Sequence, residues 1–306
     1  MNLTECYDKN KAILIEGALG VRLRSEYSLY PESKVANASF IYQDKAKRAM
    51  QEIYRQYIGI ADTYQLPIML TTPTRRANKR NVAESEYSEN IIQDNVAFLR
   101  GLQEEFSGNI YVGGLMGCKG DAYKGTEVLS ITEAHEFHSW QAQLFGKAKA
   151  DFLFAGVMPV LSEAIGMAKA MEASGLPYII SFMIRENGCL IDGTSIHDAM
   201  TAIEEATNRK PLCYMTNCVH PIILGKALTH SFNQTDLVRT RFKGIQANAS
   251  PLSPEELDQC CELKSSNPID LAEEMIKLRL QYDFQIFGGC CGTDQTHMEE
   301  LARRLK

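Results

Sequence analysis

Phe284-Gln285-Ile286-Phe287-Gly288-Gly289-Cys290-Cys291-Gly292-Thr293 is an apolar run cut off by glycines around two adjacent cysteines. Its apolar part, Phe284–Phe287, reads as a strand. Similar runs precede it at Ala12–Glu16, Pro67–Thr72, Asn109–Leu115, Phe152–Val157, Tyr178–Ile184, Leu212–Asn217 and Gly244–Asn248. All are rich in Ile, Val, Phe, Tyr and Leu, and most lack the alternation of a half-exposed strand. Continuous apolar strands suit a parallel sheet buried on both faces. The segments between them carry helical stripes. Met50, Ile53, Tyr54, Tyr57, Ala61 and Tyr64 share one helical face, and Ile91, Ile92, Leu99, Leu102 and Phe106 form a looser one. Ala164, Met167, Ala168 and Met171 mark a third, and Ile196, Ala199, Met200 and Ile203 a fourth. Ser253-Pro254-Glu255-Glu256 has the form of a capping box that opens a further helix. Helices are also expected over Ile269–Tyr282 and Asp294–Leu305.

Eight strand–helix units over about 300 residues predict a (β/α)8 barrel, a TIM barrel. A doubly wound open sheet is the alternative. The sequence shows no internal repeat, low-complexity tract or linker, so residues 1–306 are expected to form a single domain. Composition narrows the function classes. With a net charge of -6 and no long run of either sign, nothing points to nucleic acid or an acidic membrane as a partner. No apolar stretch approaches the roughly 20 residues of a membrane span. The segment Met1 to Lys11 is polar and lacks a signal-peptide core, so a cytoplasmic location is the expectation. The odd count of nine cysteines argues against a disulfide framework.

In a barrel, active sites lie at the C-terminal ends of the strands. Cys218 follows the sixth strand in Thr216-Asn217-Cys218-Val219-His220-Pro221, and Cys290 and Cys291 follow the eighth. All three belong on one rim. Adjacent residues of a regular strand point to opposite faces, so the pair can converge only where the chain leaves strand geometry. The flanking glycines permit that. Three thiolates can hold zinc and leave its fourth position for a substrate. From spacing alone, three buried thiols are an equal alternative. Cys260-Cys261 is a second adjacent pair, without flanking glycines, and reads as structural.

Gly288-Gly289-Cys290-Cys291-Gly292-Thr293 and Asn217-Cys218-Val219-His220-Pro221 together resemble the signature motifs of the zinc-dependent homocysteine S-methyltransferases. The resemblance runs along nearly the whole chain. Weaker matches are Glu16-Gly17-Ala18-Leu19-Gly20, Thr71-Thr72-Pro73-Thr74 with Ala77-Asn78, the Gly113–Gly125 loop, His138 and Ser181-Phe182. The resemblance implies a barrel with zinc on Cys218, Cys290 and Cys291, and substrate contacts at Glu16, Gly17, Thr72, Asn217 and Gly289. It implies methyl transfer from a sulfonium, ammonium or similar donor to a thiol, homocysteine or a relative, with no catalytic group beyond the zinc site. Two departures stand out. Glu16 replaces the family's usual Asp. Gly156 in Gly156-Val157-Met158-Pro159 stands where the family usually has a Glu that holds the homocysteine amino group. A different thiol therefore stays open beside homocysteine, as does compensation by Glu163 or Glu186. Two other classes also stay open: a methyl-transfer component serving a separate corrinoid protein, and a non-catalytic zinc-binding barrel.

Other residues carry weaker expectations. His220 is a minor candidate ligand. His135 and His138, at i and i+3, read as a helix-surface pair. Arg75, Arg76, Lys79 and Arg80 read as a solvated basic loop, or alternatively as a site for an anionic substrate group. Gly113-Gly114 and Gly117 read as a flexible loop without a phosphate fingerprint.

Overall fold

The computed structural model describes residues 1–252 and 265–306. The capping-box helix expected at Ser253 and the Cys260-Cys261 pair lie outside the described residues. Eight parallel strands close into a barrel in sequence order. They are β1 (Ile13–Ile15), β2 (Ile68–Thr71), β3 (Ile110–Gly117), β4 (Phe152–Met158), β5 (Tyr178–Phe182), β6 (Cys213–Val219), β7 (Phe242–Ala247) and β8 (Ile286–Gly289). The ring closes where Ile13 and Leu14 of β1 pair with Ile286 and Phe287 of β8. All eight expected strands are present, and the open-sheet alternative is excluded.

Alternation along the strands sorts side chains into two cores. Ile13 and Ile15 point with Met69, Tyr111, Phe154 and Met215 into the barrel, while Leu14 packs outward among the helices. Leu3 and Cys6 of the N-terminal helix Leu3–Lys9 join the inner cluster. Cys6 and Cys213 are fully buried members of that cluster and pack as small apolar fillers. The four helical stripes face the strands as expected, with Met50, Ile53, Leu99, Met167 and Ile203 fully buried. The long β1–β2 connection carries the helix Gly20–Tyr27, a 3-10 segment Ala36–Tyr42 and the helix Asp44–Tyr64. Among the described residues, no helix is long and apolar enough to cross a membrane.

Gly113, Gly114 and Gly117 correct the loop expectation, because all three lie inside β3. Their role is close approach. A Cβ at Gly113 would fall 2.2 Å from the Phe152 ring, which fills the barrel interior. The sequence misled here because glycine normally weakens a strand. Gly113→Ala should therefore lower stability by about 1–3 kcal/mol through overpacking. Pairing it with Phe152→Leu should restore part of the loss. Denaturant melts of both variants check this, and a neutral Gly113→Ala would contradict the packing argument.

Candidate metal centre

The rim is shaped by two interruptions of strand geometry. On β6, Asn217 pairs with Gln246 and Val219 with Ala247, so Cys218 is an extra residue bulged out of register. Its φ is +60°, in the left-handed region that non-glycine residues rarely enter. The bulge is pinned by Asn248, whose side-chain amide donates to the Cys218 carbonyl at 3.1 Å. A matching irregularity lies on β4 between Ala155 and Met158 and puts Val157 at φ +53°. For a β-branched residue that conformation is strained. Asn217 holds both sites. Its Oδ1 accepts from the Val157 amide at 2.8 Å and from the Ser181 hydroxyl at 2.6 Å.

After β8 the chain turns at once. The Cys290 carbonyl accepts from the Thr293 amide at 3.1 Å, and Gly292 sits third in the turn at φ +84°. That is the position where a type II turn requires glycine. Thr293 Oγ1 also donates to the Cys290 carbonyl at 2.7 Å. Gly289 makes room for this hydroxyl, since a Cβ there would fall 2.2 Å from it. The turn brings both neighbouring cysteines to Cys218, and the three sulfurs lie within 4.8 Å of one another.

Three thiols this close share protons unevenly. Hydrogen bonds from Cys218 and Cys290 hold the Cys291 thiol well below its usual range. Cys290, bonded to both partners and buried, is pushed well up. For Cys218 the bond to Cys290 favours ionisation, but the bond to Cys291 and burial outweigh it and push it to about 12. Only a cation lets all three ionise together. Zinc with sulfur ligands at about 2.3 Å spaces them roughly 3.8 Å apart in a tetrahedron. Three soft donors, clustered and coupled, fit that ion.

A cavity of about 360 Å³ opens beside the sulfurs. It is lined by Glu16, Gly17, Thr72, Asn217 and Gly289, the expected substrate contacts, together with all three cysteines. Their functions differ in availability. Thr72 Oγ1 accepts from the Leu115 amide at 3.2 Å and bonds Thr74 at 2.7 Å, so it braces β2 against β3. Gly17 lies against Tyr57, whose hydroxyl donates to the Ala18 carbonyl at 2.7 Å. Glu16 is buried, and its carboxylate accepts from the Thr71 amide at 3.1 Å and from the Thr71 hydroxyl. Burial pushes its pKa to about 7, against the pull of those Thr71 bonds.

Sequence reasoning missed Tyr123 and Arg24, which also line the cavity. Tyr123 hydrogen-bonds Cys218, and the charge of that sulfur, with burial, drives the phenol pKa up. It belongs to the matched Gly113–Gly125 segment. Arg24 lies on the helix Gly20–Tyr27 in no motif.

Several expectations are corrected. His138 is buried rather than on the surface, and its Nε2 meets Glu163 at 3.0 Å. Its helix, Ile131–Lys147, packs so tightly that a Cβ at Gly166 would fall 2.4 Å from the Ala134 Cβ. Glu163 also accepts from the Lys119 amide at 2.7 Å, and Glu186 pairs with Lys226 at 3.0 Å. Neither lines the cavity on which the three cysteines converge. His220 caps the helix Pro221–Thr229, with Nδ1 accepting from the Ile222 amide at 3.3 Å, and burial lowers its pKa to about 4. It stands outside the sulfur cluster. The basic segment splits. Arg76 donates to the Lys119 and Gly120 carbonyls, Arg80 pairs with Glu127 at 2.9 Å, and Arg75 lines the cavity.

A family model described as Homocysteine S-methyltransferase matches residues 13–305. The metallated form of the Escherichia coli homocysteine methyltransferase MmuM superposes with a TM-score of 0.77 at 19% identity, covering 97% of each chain. Its oxidized and apo forms, also 19% identical with 97% of each chain covered, give 0.76 and 0.70. At that identity the likeness concerns the fold. No curated protein sequence matches the chain.

Two variants probe this geometry. Asn217→Ala removes the clamp on Val157 and Ser181, and should cost about 2 kcal/mol of unfolding free energy in denaturant melts. Burial raises the Glu16 pKa from the ordinary 4.5 of a glutamate to about 7 in the folded chain. The stability from its neutral form is therefore present at low pH and lost as pH rises through 7. Glu16→Gln should raise stability by under about 1 kcal/mol at pH 5 and by about 3 kcal/mol at pH 8. A pH-independent difference in the melts would contradict this.

Proposed function

The chain belongs to the homocysteine S-methyltransferase family and is a methyltransferase, and from that premise we propose zinc-dependent methyl transfer from a sulfonium or ammonium donor to a small-molecule thiol. Homocysteine or a close relative is the acceptor. The observation that carries the reading is the convergence of Cys218, Cys290 and Cys291 on one cavity at the C-terminal rim. Membership of an enzyme family sets aside the non-catalytic barrel.

Cys218, Cys290 and Cys291 would hold zinc, which when bound would supply the Lewis acidity that lets a fourth sulfur ionise at neutral pH. The remaining work falls to the chain. Cys218 and Cys290 would have to give up their protons to join Cys291 as ligands. Val157 and Asn217 wall the cavity beside Cys218, and Tyr123 lines it from the β3 loop. Glu16 is the carboxylate on the cavity wall. The acceptor thiolate attacks the methyl carbon in line. A new carbon–sulfur bond forms as the bond to the positively charged sulfur or nitrogen breaks, and the leaving group departs neutral with that electron pair. No general acid is required. Alignment and thiolate generation provide most of the rate.

Cys290→Ala should reduce bound zinc from about one equivalent to a small fraction, and methyl transfer to background. Elemental analysis and a donor panel against homocysteine measure the two. Full zinc with full turnover in that variant would refute the assignment. Turnover only on adding a corrinoid protein would replace the small-molecule donor with a protein-borne one.

A further inference from the structure

Outside the cysteines, the charges on the cavity wall are unbalanced. Three further charged side chains line it, Glu16, Arg24 and Arg75, and both arginines also favour the ionised Cys291 sulfur through their charge. Among the described residues, neither arginine has an ion pair or a side-chain hydrogen bond, whereas their neighbours do. Arg22, on the same helix as Arg24, pairs with Glu26 and bonds Gln56 and Gln295. Arg76 and Arg80, beside Arg75, have the carbonyl and carboxylate partners described above. Arg75 is also positioned. Its stem crosses the end of β3 where a Cβ at Gly117 would fall 2.5 Å from Arg75 Cγ. Guanidinium groups present a planar fork matched to carboxylates.

The wall offers less to a cation. Glu16 already accepts two bonds from Thr71, and its burial opposes ionisation. Asn217 Oδ1 is occupied by Val157 and Ser181. Gly156 presents no side chain; a Cβ there would lie 3.0 Å from Leu115 and 3.7 Å from Asn217 Nδ2, a donor.

We propose that the site selects its acceptor thiol by a carboxylate held by Arg75, with Arg24 adding charge at the cavity mouth, and that an α-ammonium contributes little. The preferred class is then the thiol carboxylates, with or without an amino group. This rests on the thiol-methylation reading above.

The test uses full-length protein loaded with cobalt(II), whose sulfur-to-cobalt absorption reports thiol binding without turnover. Homocysteine, 4-mercaptobutyrate and 3-mercaptopropylamine are titrated into wild type, Arg75→Gln, Arg75→Lys, Arg24→Gln and Glu16→Gln. Each variant is first checked for cobalt content and circular dichroism. Arg75→Gln should raise the Kd of both carboxylates about tenfold and leave the amine unchanged. Arg75→Lys should fall between. Arg24→Gln, at an exposed residue, should cost about two- to threefold and lose its effect at high salt. Glu16→Gln should cost homocysteine less than Arg75→Gln does. The inference is overturned if Glu16→Gln costs homocysteine more, or if Arg75→Gln weakens all three thiols equally. A wild-type protein that binds no cobalt, or whose spectrum no thiol perturbs, refutes the thiol-methylation reading itself.

Discussion

Three thiols within 4.8 Å of one another form the constraint on which the rim depends. Left alone, they share protons so that one ionises at the expense of the other two. A dication would remove that conflict, and on the proposed reading its open coordination position would serve a substrate sulfur. The fold supplies the proximity. β6 and β8 are separated by β7, and closure of the ring puts their ends on one face. Closure alone does not aim the side chains. That requires the bulge at Cys218 and the Gly292 turn, where the backbone departs from strand geometry.

These departures cost conformational energy, of order 1–3 kcal/mol for each strained non-glycine residue. The cost is met by hydrogen bonds that are themselves buried. Asn217 fixes Val157 and Ser181, Asn248 fixes the Cys218 carbonyl, and Thr293 fixes the Cys290 carbonyl. The residues that flank the ligands are therefore as much a part of the centre as the sulfurs. Asn217 illustrates the point: it lines the cavity, yet its acceptor oxygen is committed to the protein rather than to a substrate.

The barrel was legible because its strands are buried on both faces and its helices carry apolar stripes, so the period of the sequence and the period of the structure agree. The convergence of the three cysteines was legible because glycine beside cysteine at a strand end has few explanations. Other features were hidden for physical reasons. Gly113 and Gly117 serve the bulk of Phe152 and Arg75, partners distant in sequence. His138 looks polar and exposed on its own helix, and only the packing of the Ile131–Lys147 helix against Leu161–Ala173 buries it. Arg24 gives no local signal, because what sets it apart is its place on a cavity wall made mostly by other elements. Arg75 and Arg76 are adjacent in sequence and have separate destinations.

Zinc K-edge X-ray absorption on the zinc-loaded protein, with and without homocysteine, tests the central claim most directly. The account predicts three sulfur ligands at about 2.3 Å with one nitrogen or oxygen ligand, becoming four sulfurs when the thiol is added. A centre ligated mainly by nitrogen or oxygen, or a sulfur count unchanged by a saturating thiol, would contradict it.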